Sequence, residues 1–254
     1  MPLSGKMMVS LIFCGVLFAS LANAKNESAS SAFQHYKIIY INESSILVDP
    51  SLRYRTITSG QELSDLFEEN FGDEVLLVNC GKDTIEIGYS RGPSEDPMYG
   101  LVVHRGKKKL SKIVPAQSLA ISSSCQFYAS GHTNNSFDMR RKFVVTEKGI
   151  KETEQPLYLV NKTCATSSTA ILTTEKCGKG TVVATVPKGS DIHILGSEWL
   201  KSKGDFEQIG SCGEGKESYL VATPFGLVGW VENTSGDIYD HPGQPLSCIY
   251  VMGD

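Results

Sequence analysis

Short runs in which apolar and polar residues alternate fill most of the chain after residue 35 and predict β-strands. Turn-forming residues, such as Asp49-Pro50 and Gly81-Lys82-Asp83, separate these runs. Many short strands at close spacing are typical of a β-sandwich or a β-barrel. We therefore expect an all-β protein, with a β-sandwich-like domain at residues 33–147, a linker at 148–156 and a second small domain at 157–235.

Residues 59–71 have the helical periodicity that the rest of the chain lacks. Ser59 and Glu62 form a capping box, and Gly72 is placed to end the helix. Four apolar residues share one face of this segment: Leu63, Leu66, Phe67 and Phe71. The pattern predicts one amphipathic helix packed on a sheet of the first domain.

The N-terminal residues have the features of a signal peptide. Lys6 precedes an almost wholly apolar run at residues 7–21, and Ala22-Asn23-Ala24 is a small-x-small cleavage site. We expect residues 1–24 to be a signal peptide and the Ser-rich residues 25–32 to be a flexible leader. The run is shorter than the ~20 residues that span a bilayer, so we expect no stable membrane insertion. The predicted location is secreted or extracytoplasmic, which means the periplasm or cell surface in a bacterium.

Six cysteines remain once Cys14 of the apolar run is set aside. An even number in a secreted chain predicts disulfides, with 15 possible connectivities. Two cysteines lie in the first half and four in the second, which favours one bridge followed by two. The disulfide cysteines are Cys80, Cys125, Cys164, Cys177, Cys212 and Cys248.

Five Asn-x-Ser/Thr sequons mark possible glycosylation sites: Asn26, Asn42, Asn134, Asn161 and Asn233. Two explanations are open. Either the chain is a glycosylated eukaryotic secretory protein, or the sequons are coincidental in a bacterial exported protein rich in serine and threonine.

The stretch from residue 186 to residue 232 has a characteristic beginning and end. A Pro187-Lys188-Gly189 turn leads into a strand in which Ile192 and Ile194 alternate with polar residues, and Gly226 and Gly229 precede Trp230-Val231. This pattern resembles the bacterial-type Src-homology-3-like family over residues 157–233. The resemblance implies a small Src-homology-3-like β-barrel. Beyond it, turn residues and Cys248 indicate a tail at residues 236–254 that a disulfide tethers to the barrel. Thr173 and Thr174 depart from the family, because an arginine is expected there.

Members of this family have a shallow groove lined by aromatic side chains, which suits peptide binding. The resemblance therefore implies that aromatic residues of the second domain bind the ligand. The candidates are Trp199, Tyr219, Phe225 and Trp230. For each of them, burial in the core is the competing explanation.

The sequence offers little support for a metal site or a catalytic centre. The residues His104, Cys125, His132 and Met139 occur in the order of a blue-copper site, but a Cys80–Cys125 disulfide would use that thiol. Isolated histidines and the absence of a spare cysteine argue against a catalytic centre. We expect no catalytic residues, metal or cofactor.

Basic residues cluster in a predicted turn at residues 104–109, and two explanations are open. The turn is either a solvated hairpin tip that protects a sheet edge or a docking point for an anionic glycan or lipid head group. The net charge of −4 gives no reason to expect nucleic-acid binding.

Together these features predict a secreted, non-enzymatic binding protein whose second domain holds a peptide, glycopeptide or cell-wall component. The first alternative is an accessory or scaffold subunit of a surface complex that binds a surface protein through the sandwich domain. A third possibility is an accessory part of a cell-wall hydrolase system.

Overall fold

The computed structural model describes residues 32–58, 71–92, 96–132, 136–198, 201–202, 208–209, 212–213, 216–234 and 243–249. The described chain is almost entirely β-structure, which confirms the expected all-β class. Residues 59–70 of the predicted helix lie outside the described residues, as do the expected signal peptide at residues 1–24 and residues 25–31 of the expected leader.

The first sheet has the strand order β1-β2-β8-β9-β10-β11. Its neighbours are antiparallel except β2 and β8, which pair in parallel with Ile46 opposite Leu119. The strands are β1 Lys37–Ile41, β2 Ser44–Val48, β8 Ser118–Ile121, β9 Phe127–Gly131, β10 Met139–Thr146 and β11 Gly149–Glu152.

The second sheet is a five-stranded antiparallel meander, β3-β4-β5-β6-β7. It consists of β3 Arg53–Thr58, β4 Glu74–Cys80, β5 Asp83–Ser90, β6 Met98–Arg105 and β7 Lys108–Pro115. Its inner face packs on the first sheet around one apolar core that includes Ile46, Ile85 and Phe127. The Cys80–Cys125 disulfide joins β4 to the loop after β8, so it links the two sheets of a β-sandwich.

The third sheet has the order β12-β15-β18-β19-β13-β14. Its strands are β12 Tyr158–Ala165, β13 Ala170–Thr173, β14 Val182–Val186, β15 Asp191–Ser197, β18 Lys216–Ala222 and β19 Val228–Thr234, and a separate pair comprises β16 Lys201–Ser202 and β17 Gln208–Ile209. The end strands β12 and β14 do not pair with each other among the described residues. The sheet is therefore open, and the expected closure into a barrel is not observed in this part of the chain.

Residues expected to form a linker instead extend the sandwich. Gly149–Glu152 forms β11, in which Ile150 lies opposite Val145 of β10 and is buried. A lone apolar residue in a charged segment gives no periodicity to detect, so the strand depends on the β10 partner. Residues 35–254 form one compact unit, and of the other unit, residues 1–34, only residues 32–34 are described.

The loop between β9 and β10 reaches from the sandwich into the core of the third sheet. Phe137 of this loop and Met139, the first residue of β10, are buried there, and the Phe137 ring packs edge-on against Tyr219 at a centroid distance of 6.4 Å. Beside them, the Ser136 hydroxyl donates to Glu217 Oε1 at 3.3 Å, and the Tyr219 hydroxyl donates to Glu217 Oε2. The two halves of the protein therefore share a buried polar contact.

Candidate binding surface

The β18–β19 hairpin carries three of the four predicted ligand-binding aromatics, Tyr219, Phe225 and Trp230. Its turn is closed by hydrogen bonds from the Gly226 amide to the Thr223 carbonyl and from the Thr223 amide to the Leu227 carbonyl, both at 2.9 Å. The Leu227 amide also donates to the Thr223 hydroxyl at 3.1 Å. Gly226 has φ = 95°, a conformation that glycine adopts without strain. The turn therefore has a defined shape although Phe225, at its tip, is 88% exposed.

The two sides of the hairpin differ in character because successive side chains point to opposite faces. On the inner face, Tyr219 lies opposite Val231, and both are buried in the core. On the outer face, Leu220 lies opposite Trp230 and Ala222 opposite Val228. Trp230 is partly exposed on this outer face.

A lysine lies over the indole of Trp230. The Lys176 ammonium is 5.4 Å from the ring centroid and forms an ion pair with Glu198. The next residue, Cys177, is bonded to Cys212, and its amide donates to the Ser218 hydroxyl at 3.2 Å. These constraints hold the loop that follows β13 against the outer face of the β18–β19 hairpin.

Exposed apolar side chains continue across the neighbouring strands of the third sheet. Ile171 of β13 and Val182 of β14 are each more than half exposed, and Thr173 of β13 pairs with both Val182 and Trp230. We use the name outer patch for six residues: Ile171, Val182, Phe225, Leu227, Val228 and Trp230. An aromatic and aliphatic surface of this kind marks an interaction site more often than scattered apolar residues do.

The structure separates the predicted ligand-binding residues. Phe225 and Trp230 belong to the outer patch, whereas Tyr219 is fully buried and burial raises the pKa of its hydroxyl well above the ordinary value. Tyr219 is thus a core residue and offers no surface to a ligand. Trp199 lies outside the described residues. Lys176 is not among the predicted ligand-binding residues, because only the pairing of β13 with β19 brings its loop to Trp230.

The three described sequons occupy different environments. Asn233 is buried and its side chain accepts from the Leu246 amide at 3.0 Å, so it is a structural residue. Asn42 exchanges hydrogen bonds with the backbone of Glu74 at 3.1 and 3.2 Å. Asn161 is exposed in the bulge of β12. Asn26 and Asn134 lie outside the described residues.

All six cysteines outside the N-terminal apolar run form disulfides: Cys80–Cys125, Cys164–Cys248 and Cys177–Cys212. One bridge lies in the first half and two in the second. The bridge at Cys125 leaves no thiolate for copper. In the described part of the chain, no group of three or more His, Cys, Asp or Glu side chains is arranged to hold a metal ion.

Three disulfides indicate that the chain folds in an oxidising, extracytoplasmic environment. Within the described ranges, no helix has the length and apolar character needed to cross a membrane. No family model matches the chain, and no match exists among the curated proteins or the solved structures.

Proposed function

We propose that this protein is a secreted, non-enzymatic binding protein that holds a peptide, a glycopeptide or a cell-wall component on the outer patch. The observation that carries the proposal is the exposure of Phe225 on a turn fixed by hydrogen bonds. An aromatic side chain presented on an ordered turn loses little conformational entropy when a ligand covers it.

Trp230 adds a second element of recognition. Its indole is partly exposed, and the Lys176 ammonium lies over one part of the ring system. Lysine and tryptophan together offer a charged donor and a large apolar area, which suits a peptide or glycopeptide better than a purely apolar ligand. The resemblance to Src-homology-3-like domains supports the same assignment. Both segments that carry it belong to the third sheet: Pro187-Lys188-Gly189 connects β14 to β15, and residues 226–230 run from the β18–β19 turn into β19.

Secretion is part of this proposal. The apolar run at residues 7–21, followed by Ala22-Asn23-Ala24, fits a cleaved signal peptide, and the three disulfides fit export.

The test is retention of the purified protein on peptidoglycan sacculi and on a peptide library displayed on beads. We expect Phe225→Ala to abolish retention without changing the unfolding temperature, because the side chain is 88% exposed. Leu159→Ala is the control, since Leu159 is a 54% exposed apolar residue of β12 that belongs neither to the outer patch nor to strand β1. Equal retention of the Phe225→Ala variant and the wild type would reject the outer patch as the site.

A second function is favoured by the exposed edge of the first sheet. Strand β1 pairs only with β2 in the described structure, and its Ile38 and Tyr40 side chains are more than half exposed. An edge strand of this kind is able to accept an additional strand from a protein partner. The protein would then be a scaffold subunit. In that case Tyr40→Ala, and not Phe225→Ala, would reduce the amount of partner protein recovered with it after cross-linking at the cell surface.

A further inference from the structure

Three hairpin turns meet at one end of the sandwich, and Arg105 joins them. The Arg105 guanidinium donates from Nε and Nη2 to the Asp83 carboxylate, at 2.9 and 2.5 Å, which ties the β6–β7 turn to the β4–β5 turn. Its Nη1 donates to the Thr146 carbonyl at 3.3 Å, which adds the β10–β11 turn. We call residues 81–83, 105–108 and 146–149 the basic end.

Positive charge is concentrated at the basic end. Its cations are Lys82, Arg105, Lys107, Lys108 and Lys148, and its anions are Asp83 and Glu147. The excess of three positive charges contrasts with a net charge of −4 for the whole chain. A compact cluster of one sign raises the local concentration of ligands of the opposite sign.

The lysines, and not the arginine, are available to a ligand. The Arg105 guanidinium donates to the Asp83 carboxylate and to the Thr146 carbonyl. It therefore has no pair of N–H groups left for a second bidentate partner. Lys82, Lys107, Lys108 and Lys148 are exposed on the turns. Lysine ammonium groups on flexible stems act as point charges, so they recognise charge density rather than one stereospecific anion.

We propose that the basic end binds a linear polyanionic glycan, one that carries sulfate, phosphate or carboxylate groups along its chain. Several lysines on three adjacent turns match a ligand with repeated charges better than they match a single small anion. A membrane is disfavoured because the exposed large apolar residues of the described chain lie on other segments, so nothing at the basic end inserts into lipid. This site is on the sandwich and does not depend on the outer patch.

The test is affinity for heparin, a soluble sulfated glycan, measured by titration of the full chain at several salt concentrations. Lys107→Gln/Lys108→Gln is expected to weaken binding about 25-fold, about fivefold for each lysine removed. The matched control is Lys179→Gln/Lys188→Gln, which removes the same charge from exposed positions in the other half of the protein. We expect the control to bind within about twofold of the wild type if the attraction is local.

The proposal is overturned if both double variants lose affinity equally, because the effect would then follow net charge alone. It is also overturned if the wild type fails to bind heparin but binds vesicles of phosphatidylcholine and phosphatidylglycerol through the same two lysines. Unchanged thermal unfolding of both variants shows that the comparison concerns binding and not folding.

Discussion

Replacement of Glu217 by alanine tests how strongly the two halves of the protein depend on their buried polar contact. Glu217 is 2% exposed and accepts hydrogen bonds from the hydroxyls of Ser136 and Tyr219, which are themselves buried. The Glu217→Ala variant leaves both hydroxyls without that acceptor. Ser136 and Ser197 are also hydrogen-bond partners of the Tyr219 hydroxyl, so the loss corresponds to no more than one unsatisfied buried donor. We therefore expect the free energy of unfolding to fall by about 1–3 kcal/mol.

The same carboxyl predicts a pH dependence of stability. Burial raises the pKa of Glu217 in the folded protein, and the hydrogen bonds from Tyr219 and Ser136 oppose that rise only in part. The folded state therefore holds the proton more tightly than the unfolded state, in which the pKa is about 4.3. The contribution of Glu217 to the free energy of unfolding is fully present below the unfolded-state pKa. It declines as the pH rises through the folded-state pKa and is constant at a lower value above it.

Glu217→Gln separates the charge from the hydrogen bonds. The glutamine amide keeps an acceptor for Tyr219 and presents an amino group to Ser136, whose hydroxyl is also able to accept. We expect this variant to be at least as stable as the wild type at neutral pH. We also expect the contribution of Glu217 to the pH profile to disappear.

The assay is urea unfolding of the oxidised protein, followed by far-ultraviolet circular dichroism between pH 4 and pH 8. Glu154→Gln, at an exposed position, is the control and should change stability by no more than about 0.5 kcal/mol. A Glu217→Ala variant as stable as this control would contradict the expected loss of stability. If stability depends on pH in the same way in Glu217→Gln and in the wild type, ionisation of Glu217 does not contribute to that dependence.

Two further predictions concern the sandwich disulfide and the third sheet. Cys80→Ser/Cys125→Ser opens a loop of 45 residues, so chemical denaturation should show a loss of about 4 kcal/mol, and a loss below about 1 kcal/mol would contradict the entropic argument. Gly229→Ala places a methyl group 2.9 Å from Leu172 Cβ and should cost about 1–3 kcal/mol in the same assay. Gly243→Ala meets no atom within 4 Å and is the matched control, so equal losses at the two glycines would contradict this prediction.

Local alternation predicted individual strands well because burial on one face follows directly from a period of two. In β15, Ile192 and Ile194 are buried while Asp191 is exposed, as the sequence indicates. Cysteine counting also succeeded, since the division into one bridge and two bridges follows from where the cysteines lie. Both signals are local or depend on simple counting.

Long-range pairing had no comparable signal. Nothing in the sequence of β13 indicates that Thr173 meets Trp230 of β19, and that contact is what brings the Lys176 loop to the outer patch. Tyr219 illustrates the same limit. It alternates with Leu220, and only the cross-strand partners decide which of the two faces the core, because the Phe137 ring that packs against Tyr219 comes from the other half of the chain.

The predicted boundary near residues 148–156 therefore does not separate two self-sufficient domains. A C-terminal fragment that began there would lack Phe137 and Met139, which are buried in the core of the third sheet. It would also leave the buried carboxyl of Glu217 without the Ser136 hydroxyl. The apolar surface that Phe137 and Met139 cover would be exposed to water, at a cost of about 25 cal/mol per Å². The loss of the buried hydrogen bond would lower the stability of the fragment further. The β9–β10 loop is thus a structural part of both halves, and the stability of the outer patch depends on residues that precede the apparent boundary.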